Sequence, residues 1–383
     1  FIALPGGTLP LGYPPFVPLG TPSVRALLDA NELVQCQPLG SFCADGGIND
    51  FRVVESDFNS TTGRAVLQWT PTDNSQFYAS WTRGYKPGGF NPRTGIAGVG
   101  LTFDPEIIQA YEVGVKTRVG SLQANLSAFY YDYTGLQISR IVARTSINEN
   151  VDATIWGLEG EFVWRPTDRF IANMNVSYLN TELGEFWAFN PSDPTAGRAD
   201  VELIADISNG SNCVITRGAA DPAFVGTFTA SPFSVCSQLA AAVPGVNSGF
   251  ATNYAVLDGI EQNLEGSRLL GSPKFKISGG MQYEIPMGER YSLTPRVDAY
   301  YQSEMYTSNF NTVKDRIDGY AYVNAQIRFA PTDGNWHLRA FMQNVTNSDA
   351  LTGAYAQDQS AGTYQNLFIL EPRRWGFGMG MNF

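Results

Sequence analysis

The segment Trp375-Gly-Phe377-Gly-Met379-Gly-Met381-Asn-Phe383 puts a large apolar side chain at every odd position and Gly or Asn at every even one. Side chains of an extended chain alternate between two faces, so this stretch predicts a strand with one continuous apolar face. The same phase recurs from about residue 51 onward. Leu67 and Trp69 flank Gln68, and Phe77, Ala79 and Trp81 alternate with Ser80 and Thr82. Tyr111, Val113 and Val115 alternate with Glu112 and Lys116, and Leu158, Phe162 and Trp164 oppose Glu159 and Glu161. Ala172, Met174, Val176 and Tyr178 oppose Asn173, Asn175 and Ser177, while Tyr291, Leu293, Val297 and Tyr301 oppose Arg296 and Asp298. Ala325, Ile327 and Phe329 oppose Gln326 and Arg328, and Trp336, Leu338, Ala340 and Met342 oppose His337, Arg339 and Gln343. The pattern predicts a meander of about eleven strands.

One alternating strand also fits a half-buried soluble sheet. Some ten in succession do not, because soluble strands average about 5–6 residues and these are longer, with Lys, Arg and Glu on the polar face. An apolar face turned to lipid and a polar face turned to an aqueous lumen define an all-β, transmembrane antiparallel barrel. The connections support it by alternating in length. Pro71-Thr-Asp-Asn-Ser75, Val119-Gly-Ser121, Pro166-Thr-Asp168, Pro286-Met-Gly-Glu289 and Pro331-Thr-Asp-Gly-Asn335 are short, with residues suited to tight turns. The stretches 86–104, 141–150, 183–265, 303–314 and 346–365 are long. Outer-membrane barrels have short periplasmic turns and long extracellular loops, so 183–265 is expected outside. Residues 1–50, broken by Pro5, Pro10, Pro14, Pro15, Pro18 and Pro22, are expected to form an irregular extracellular loop with a short helix over about Ser23 to Val34. A path from outside to periplasm has an odd number of crossings, and an odd open sheet would leave edges unpaired in lipid. Residues 51–383 are therefore expected to be the C-terminal portion of a larger barrel.

Composition narrows the chemistry. Charged residues are 16 % of the 383 and aromatics 13 %, against about 25 % charged in soluble domains. No apolar run approaches the ~20 residues a membrane helix requires. A net charge of −11 excludes nucleic acid as a partner. With His337 the single histidine, neither a His-based metal site nor a Ser-His-Asp triad is expected, and no enzyme, metal or cofactor is predicted. Cys36, Cys43, Cys213 and Cys236 lie in turn-rich stretches without CxxC spacing. They predict two loop disulfides formed in an oxidising compartment, with three connectivities open.

Six motifs in order carry a family resemblance. They are Tyr78-Ala-Ser-Trp-Thr-Arg-Gly-Tyr-Lys-Pro-Gly-Gly-Phe-Asn91, Tyr111-Glu-Val-Gly-Val-Lys116, Ala128-Phe-Tyr-Tyr-Asp-Tyr133, Gly157-Leu-Glu-Gly-Glu161, Gln343-Asn-Val-Thr-Asn347 and Glu371-Pro-Arg-Arg-Trp-Gly-Phe377. Together they resemble the C-terminal half of the barrel of TonB-dependent receptors. The resemblance implies a 22-stranded barrel with a plugged lumen in the outer membrane of a Gram-negative bacterium. It also implies insertion by the barrel-assembly machinery, and coupling to the TonB complex through an N-terminal region that is not found before Phe1. Uptake of a bulky scarce solute, foremost a ferric siderophore, would follow from binding and gating rather than bond chemistry. Trp375, Phe377, Met379, Met381 and Phe383 would form the membrane sorting signal. Tyr85, Lys86, Phe90, Asn91 and Arg93 are the candidate capture residues, through ring contact area and charge toward an anionic chelate. Arg83, Glu112, Lys116, Glu159, Glu161, Arg296, Arg328 and Arg339 are expected on the lumen side, pairing across strands or touching the plug. The 183–265 insertion, with Trp187, Phe189, Phe224, Phe228, Phe233 and Phe250, is expected either as a lid or as a disulfide-tied surface loop. Haem is disfavoured because His337 follows a periplasmic turn. The alternatives are a passive porin-like channel and a non-functional truncated fragment.

Overall fold

The computed structural model describes residues 2–3, 16–17, 56–91, 102–142, 145–206, 211–216, 256–257, 259–356 and 364–381. The expected helix over 23–34, most of the loop 1–50, and Arg93, Cys36, Cys43, Cys236, Phe224, Phe228, Phe233, Phe250 and Phe383 fall outside them. The chain divides into two units, one of Phe1–Phe58 with Gly89–Thr102 and one of Asn59–Gly88 with Phe103–Phe383. The first contributes an antiparallel ladder pairing Ile2 with Val17 and Ala3 with Phe16.

The second unit is built on one large antiparallel sheet. Its strands are β1 Gly63–Thr72, β2 Ser75–Lys86, β3 Glu106–Val119, β4 Leu122–Val142, β5 Thr145–Thr167, β6 Phe170–Leu183, β7 Phe275–Tyr283, β8 Tyr291–Gln302, β9 Tyr320–Pro331, β10 Trp336–Gln343 and β11 Arg374–Met381. Each pairs with its neighbours in sequence, in the order β11 to β1, and Ile285–Met287 adds a short twelfth strand beside β8. No described helix is long and apolar enough to cross a membrane.

The register converts the alternation of single strands into rows across the sheet. Trp69 faces Phe77, which faces Val115; the row continues through Leu126, Gly160, Val176, Ile277 and Tyr301 to Ala321. These residues share the apolar face, where Leu67 is 74 % exposed, Val113 56 %, Leu158 53 % and Phe377 78 %. An aqueous sheet would not leave such a face bare. On the opposite face Lys116 faces Asn125, then Glu161, Asn175, Ser278, Tyr300 and Tyr322.

Two of the three glycines of β11 have a steric reason that the sequence pattern did not supply. Gly376 pairs with Phe341 and Gly380 with His337. A Cβ on Gly376 would lie 2.7 Å from the Phe341 ring, and one on Gly380 would meet the His337 imidazole. The large polar-face residues of β10 lie flat across the bare backbone of β11, as aromatic side chains cover glycines in other sheets.

One expectation about loops is corrected. The stretch 141–150 is not a long loop, because β4 runs to Val142 and β5 starts at Thr145, with Ile141 paired to Ser146 and Arg140 to Ile147. Leu136, Ile138, Ile147 and Val151 keep a strand's alternation going there, and cross-strand pairing follows. The insertion 183–265 contains regular structure as well. Trp187–Phe189 pairs with Glu261–Asn263, and Val201–Asp206, Ser211–Thr216 and Val256–Leu257 form a small three-stranded sheet.

Leu126 and Asn125 are adjacent in sequence and on opposite faces. Leu126→Arg is expected to destabilise the folded barrel by about 2–4 kcal/mol, because it sets a charge in the apolar band, whereas Asn125→Arg is tolerated. Reversible unfolding in lipid vesicles measures both; equal effects would contradict the assignment of faces. Gly376→Val is expected to lower the yield of heat-modifiable folded protein on gels, with Phe341→Ala restoring it by removing the ring.

Candidate functional site

The rows locate the membrane boundaries. Trp81, Tyr111, Tyr130 and Trp156 stand side by side on β2 to β5 of the apolar face. The next row on the same face is polar throughout: Arg83, Gln109, Asp132, Thr154 and Glu182. Aromatic rings followed directly by polar groups mark a membrane–water interface. The other boundary is formed by Trp164 with Phe170, and by Tyr291 with Phe329 and Trp336, whose ring centroids are 5.2–6.3 Å apart. From Trp156 to Trp164 is eight residues, about 26 Å along a strand at ~3.3 Å per residue, which matches an apolar band of ~25 Å.

Arg83 is thereby corrected. Its register gives it the face of Ala79 and Trp81, one row beyond the aromatic girdle, and not the polar inner face. Glu112, Lys116, Glu159, Glu161, Arg296, Arg328 and Arg339 all fall on the inner face by the same register.

The inner wall carries charges of both signs. Over β3 to β5 it holds Glu112, Glu159 and Glu161 together with Lys116 and Arg118. The Tyr78 hydroxyl donates to Glu112 Oε1 at 2.5 Å, and Lys116 lies 5.9 Å from the Tyr78 ring centroid. Tyr78 crosses Gly114, where a Cβ would sit 2.5 Å from its ring. Asn125 Nδ2 donates to Glu161 at 3.2 Å. Over β8 to β10 the wall is basic. Arg296 donates from Nε to Asp298 at 2.9 Å, from Nη1 to Gln282 at 3.2 Å and from Nη2 to Asn173 at 3.0 Å. That fork bridges β6, β7 and β8 across Gly280, whose Cβ, if it had one, would lie 2.5 Å from Arg296 Nη2. Beside the fork, Arg328 faces Arg339, and Arg339 stacks on the Phe341 ring at 5.0 Å.

An aromatic group escaped the sequence reading. Tyr300 lies 6.0 Å from Tyr320 and 5.2 Å from Tyr322, and its hydroxyl donates to Gln302 at 2.8 Å. All three are on the inner face near the outer end of β8 and β9. Their even-numbered phase, opposite Val297 and Ala321, was the available signal.

One end of the sheet is covered on its polar side. β4 and β5 continue past the polar row, and their inner-face residues Val151 and Ala153 join Leu183, Ala188 and Leu264 in a buried apolar cluster. Tyr133, Leu136, Ile138, Phe186, Leu269 and Phe310 pack around it. Ala188, Phe186 and Leu264 belong to the insertion, so this connection folds against the inner side of the β4–β5 hairpin. Phe189 sits over Arg140, 5.6 Å from its guanidinium carbon, and Arg140 is salt-bridged to Glu149. Cys213 is buried in the small sheet and disulfide-bonded.

Of the candidate capture residues, Tyr85 and Lys86 end β2 opposite Ile107 and Glu106. Phe90 is 40 % exposed in the short strand Gly89–Phe90, and Asn91 is 5 % exposed. Leu264→Asp is expected to release the insertion from the hairpin. Limited proteolysis of intact cells should then cut within 184–265 at least tenfold faster, while heat-modifiability of the barrel is retained.

The sequence matches the family model described as TonB dependent receptor-like, beta-barrel, over residues 44–345. No curated protein matches. Among solved structures, the ferric yersiniabactin uptake receptor FyuA from Yersinia pestis superposes with a TM-score of 0.53 at 15 % identity, covering 84 % of this chain and 37 % of its own. The ferric preacinetobactin receptor BauA from Acinetobacter baumannii gives 0.51 at 17 % identity, covering 84 % and 36 %. This chain thus spans little more than a third of the structures it matches, and at that identity they speak to the fold alone. The alternating register, the two girdles and the family match over most of its length agree: the chain belongs to the TonB-dependent receptor-like β-barrel family.

Proposed function

We propose that the complete protein is an outer-membrane uptake receptor of a Gram-negative bacterium, taking up a bulky, scarce solute by TonB-coupled gating. A ferric siderophore is the leading solute. The observation that carries this reading is the family match together with a polar, two-signed inner wall behind a mouth covered by its own connection. A wall of that kind suits gated passage better than open diffusion. In this reading the sheet described above is the C-terminal part of a barrel of about 22 strands whose lumen holds a plug. The TonB complex acts through an N-terminal region of the complete receptor. Tyr85, Lys86, Phe90, Asn91 and Arg93 would contribute to capture at the outer rim. The alternating strand from Trp375 to Phe383 would address the chain to the barrel-assembly machinery. FyuA and BauA, as ferric-chelate receptors, support the choice of solute class by analogy.

The first test is the intact mass of the native protein in an outer-membrane fraction, identified through peptides of this chain. A mass near twice 41.8 kDa, with peptides upstream of Phe1, is expected. A mass near 41.8 kDa would favour a passive channel or a truncated product instead. The complete gene, expressed in a siderophore-receptor-deficient strain, is then expected to restore growth on a ferric siderophore under iron limitation. Restoration should disappear when TonB is deleted. Steady ion conductance in planar bilayers without energised uptake would overturn the proposal in favour of the channel.

A further inference from the structure

Residues 266–272 lead from the insertion into β7, and residues 303–319 connect β8 to β9. The two pieces are distant in sequence yet bonded along their length. The Arg268 amide donates to Asn311 Oδ1 at 2.7 Å, and Asn311 Nδ2 donates back to the Arg268 carbonyl at 3.0 Å. The Leu270 amide donates to Asn309 Oδ1 at 3.0 Å, and the Gly271 amide to the Tyr306 carbonyl at 2.8 Å. The Arg268 guanidinium reaches the Glu304 carbonyl at 3.2 Å and lies 5.3 Å from the Tyr306 ring. Asn311 holds its place at a φ of 52°, a left-handed conformation that asparagine tolerates better than most residues. The connection is also braced from within. Met305–Tyr306 pairs with Arg316–Ile317, and the buried Asp315 accepts from the Thr312 amide and hydroxyl at 3.3 and 2.6 Å.

Both pieces are seated on the wall. The Leu269 amide donates to Thr181 Oγ1 at 3.0 Å, the Leu183 amide donates to the Ser267 carbonyl at 2.9 Å, and the Thr181 and Ser272 hydroxyl oxygens are 3.1 Å apart. Phe310 of the connection packs, with Leu269, on the cluster that holds Leu264, Val151 and Leu183. Lifting one piece alone would leave these amides and carbonyls unpaired, and lifting both would uncover the apolar cluster.

We propose that the base of the insertion and the β8–β9 connection form one fixed buttress on β4 to β6, which stays seated while solute is taken up. The movement that admits solute is then confined to connections outside it. Segments that move in a working protein come from its least stable parts, where buried contacts are few and backbone bonds are exposed. This buttress has the opposite character. Its role in uptake rests on the reading of the complete protein as a transport receptor.

The experiment uses the complete receptor in cells. Thr181→Cys with Ser272→Cys ties residues 266–272 to β6, and Leu270→Cys with Asn309→Cys ties them to the connection. The first pair replaces two oxygens already 3.1 Å apart, which suits a disulfide. Each oxidised pair is expected to keep TonB-dependent uptake of a ferric siderophore at the rate of its reduced form, with the unmodified receptor taken through the same treatment as control. Uptake that stops on oxidation and returns on reduction overturns the fixed buttress. Asn311→Gly suits the backbone and removes the side chain. In the purified complete receptor it is expected to speed amide exchange of 266–272 and 303–318 together by about tenfold, with β1 to β3 unchanged. Faster exchange in 303–318 alone, or in neither, overturns the single body. If the unmodified receptor shows no TonB-dependent uptake, the transport reading fails and the role in uptake with it, while the exchange result still decides whether the two pieces are one body.

Discussion

Inside hydrocarbon no water is available to the backbone, so every amide and carbonyl of this sheet depends on its neighbouring strand. That constraint explains why the meander is strictly sequential. β1 to β11 each meet the partner that a short turn or an outer connection delivers, and none is crossed over. It also fixes the register. A slip of one residue in β8 would turn Arg296 and Asp298 toward lipid and Val297 toward water. The fork of Arg296 across β6, β7 and β8 therefore reports the register as well as stabilising it.

Much of this was legible from alternation alone, since period two determines face. The strand count, the short turns and the inner position of Glu112, Glu159, Glu161, Arg296, Arg328 and Arg339 all follow from it. Alternation does not give height along the barrel axis. Arg83 was read as a lumen residue from its charge, although its phase matches Trp81; only the row through Gln109, Asp132 and Thr154 reveals that it stands above the aromatic girdle, where an outward charge meets water. The same limit hid Tyr300, Tyr320 and Tyr322, because which aromatics gather at one end depends on cross-strand register. The length of the β4–β5 hairpin was missed because a stretch of mixed residues between strands reads as a loop unless both partners are aligned.

The inner wall shows how side-chain size is shared between adjacent strands. Tyr78 lies over Gly114, Phe341 over Gly376 and the Arg296 guanidinium over Gly280. In each case a broad polar-face group lies flat along the wall and the neighbouring strand yields the space. Large side chains are thereby held against the sheet, leaving the lumen clear for whatever occupies it. The glycines of the last strand belong to this arrangement, so its alternation has two causes: lipid selects the odd positions, and the flat side chains of β10 select most of the even ones.

Above the membrane the logic of the inner face inverts. Val151, Ala153 and Leu183 are apolar on the side that lower down carries Glu159, Glu161 and Ser177. Apolar side chains facing an aqueous mouth would be unfavourable, so their presence implies that something dry covers them. Phe186, Ala188 and Leu264 of the insertion supply that cover, and Phe189 extends it over the Arg140–Glu149 pair. The outer rim of β4 to β6 is therefore already occupied by the chain itself. The surface this end of the sheet presents is thus that of the insertion and of the ends of the other strands, rather than that of the wall beneath.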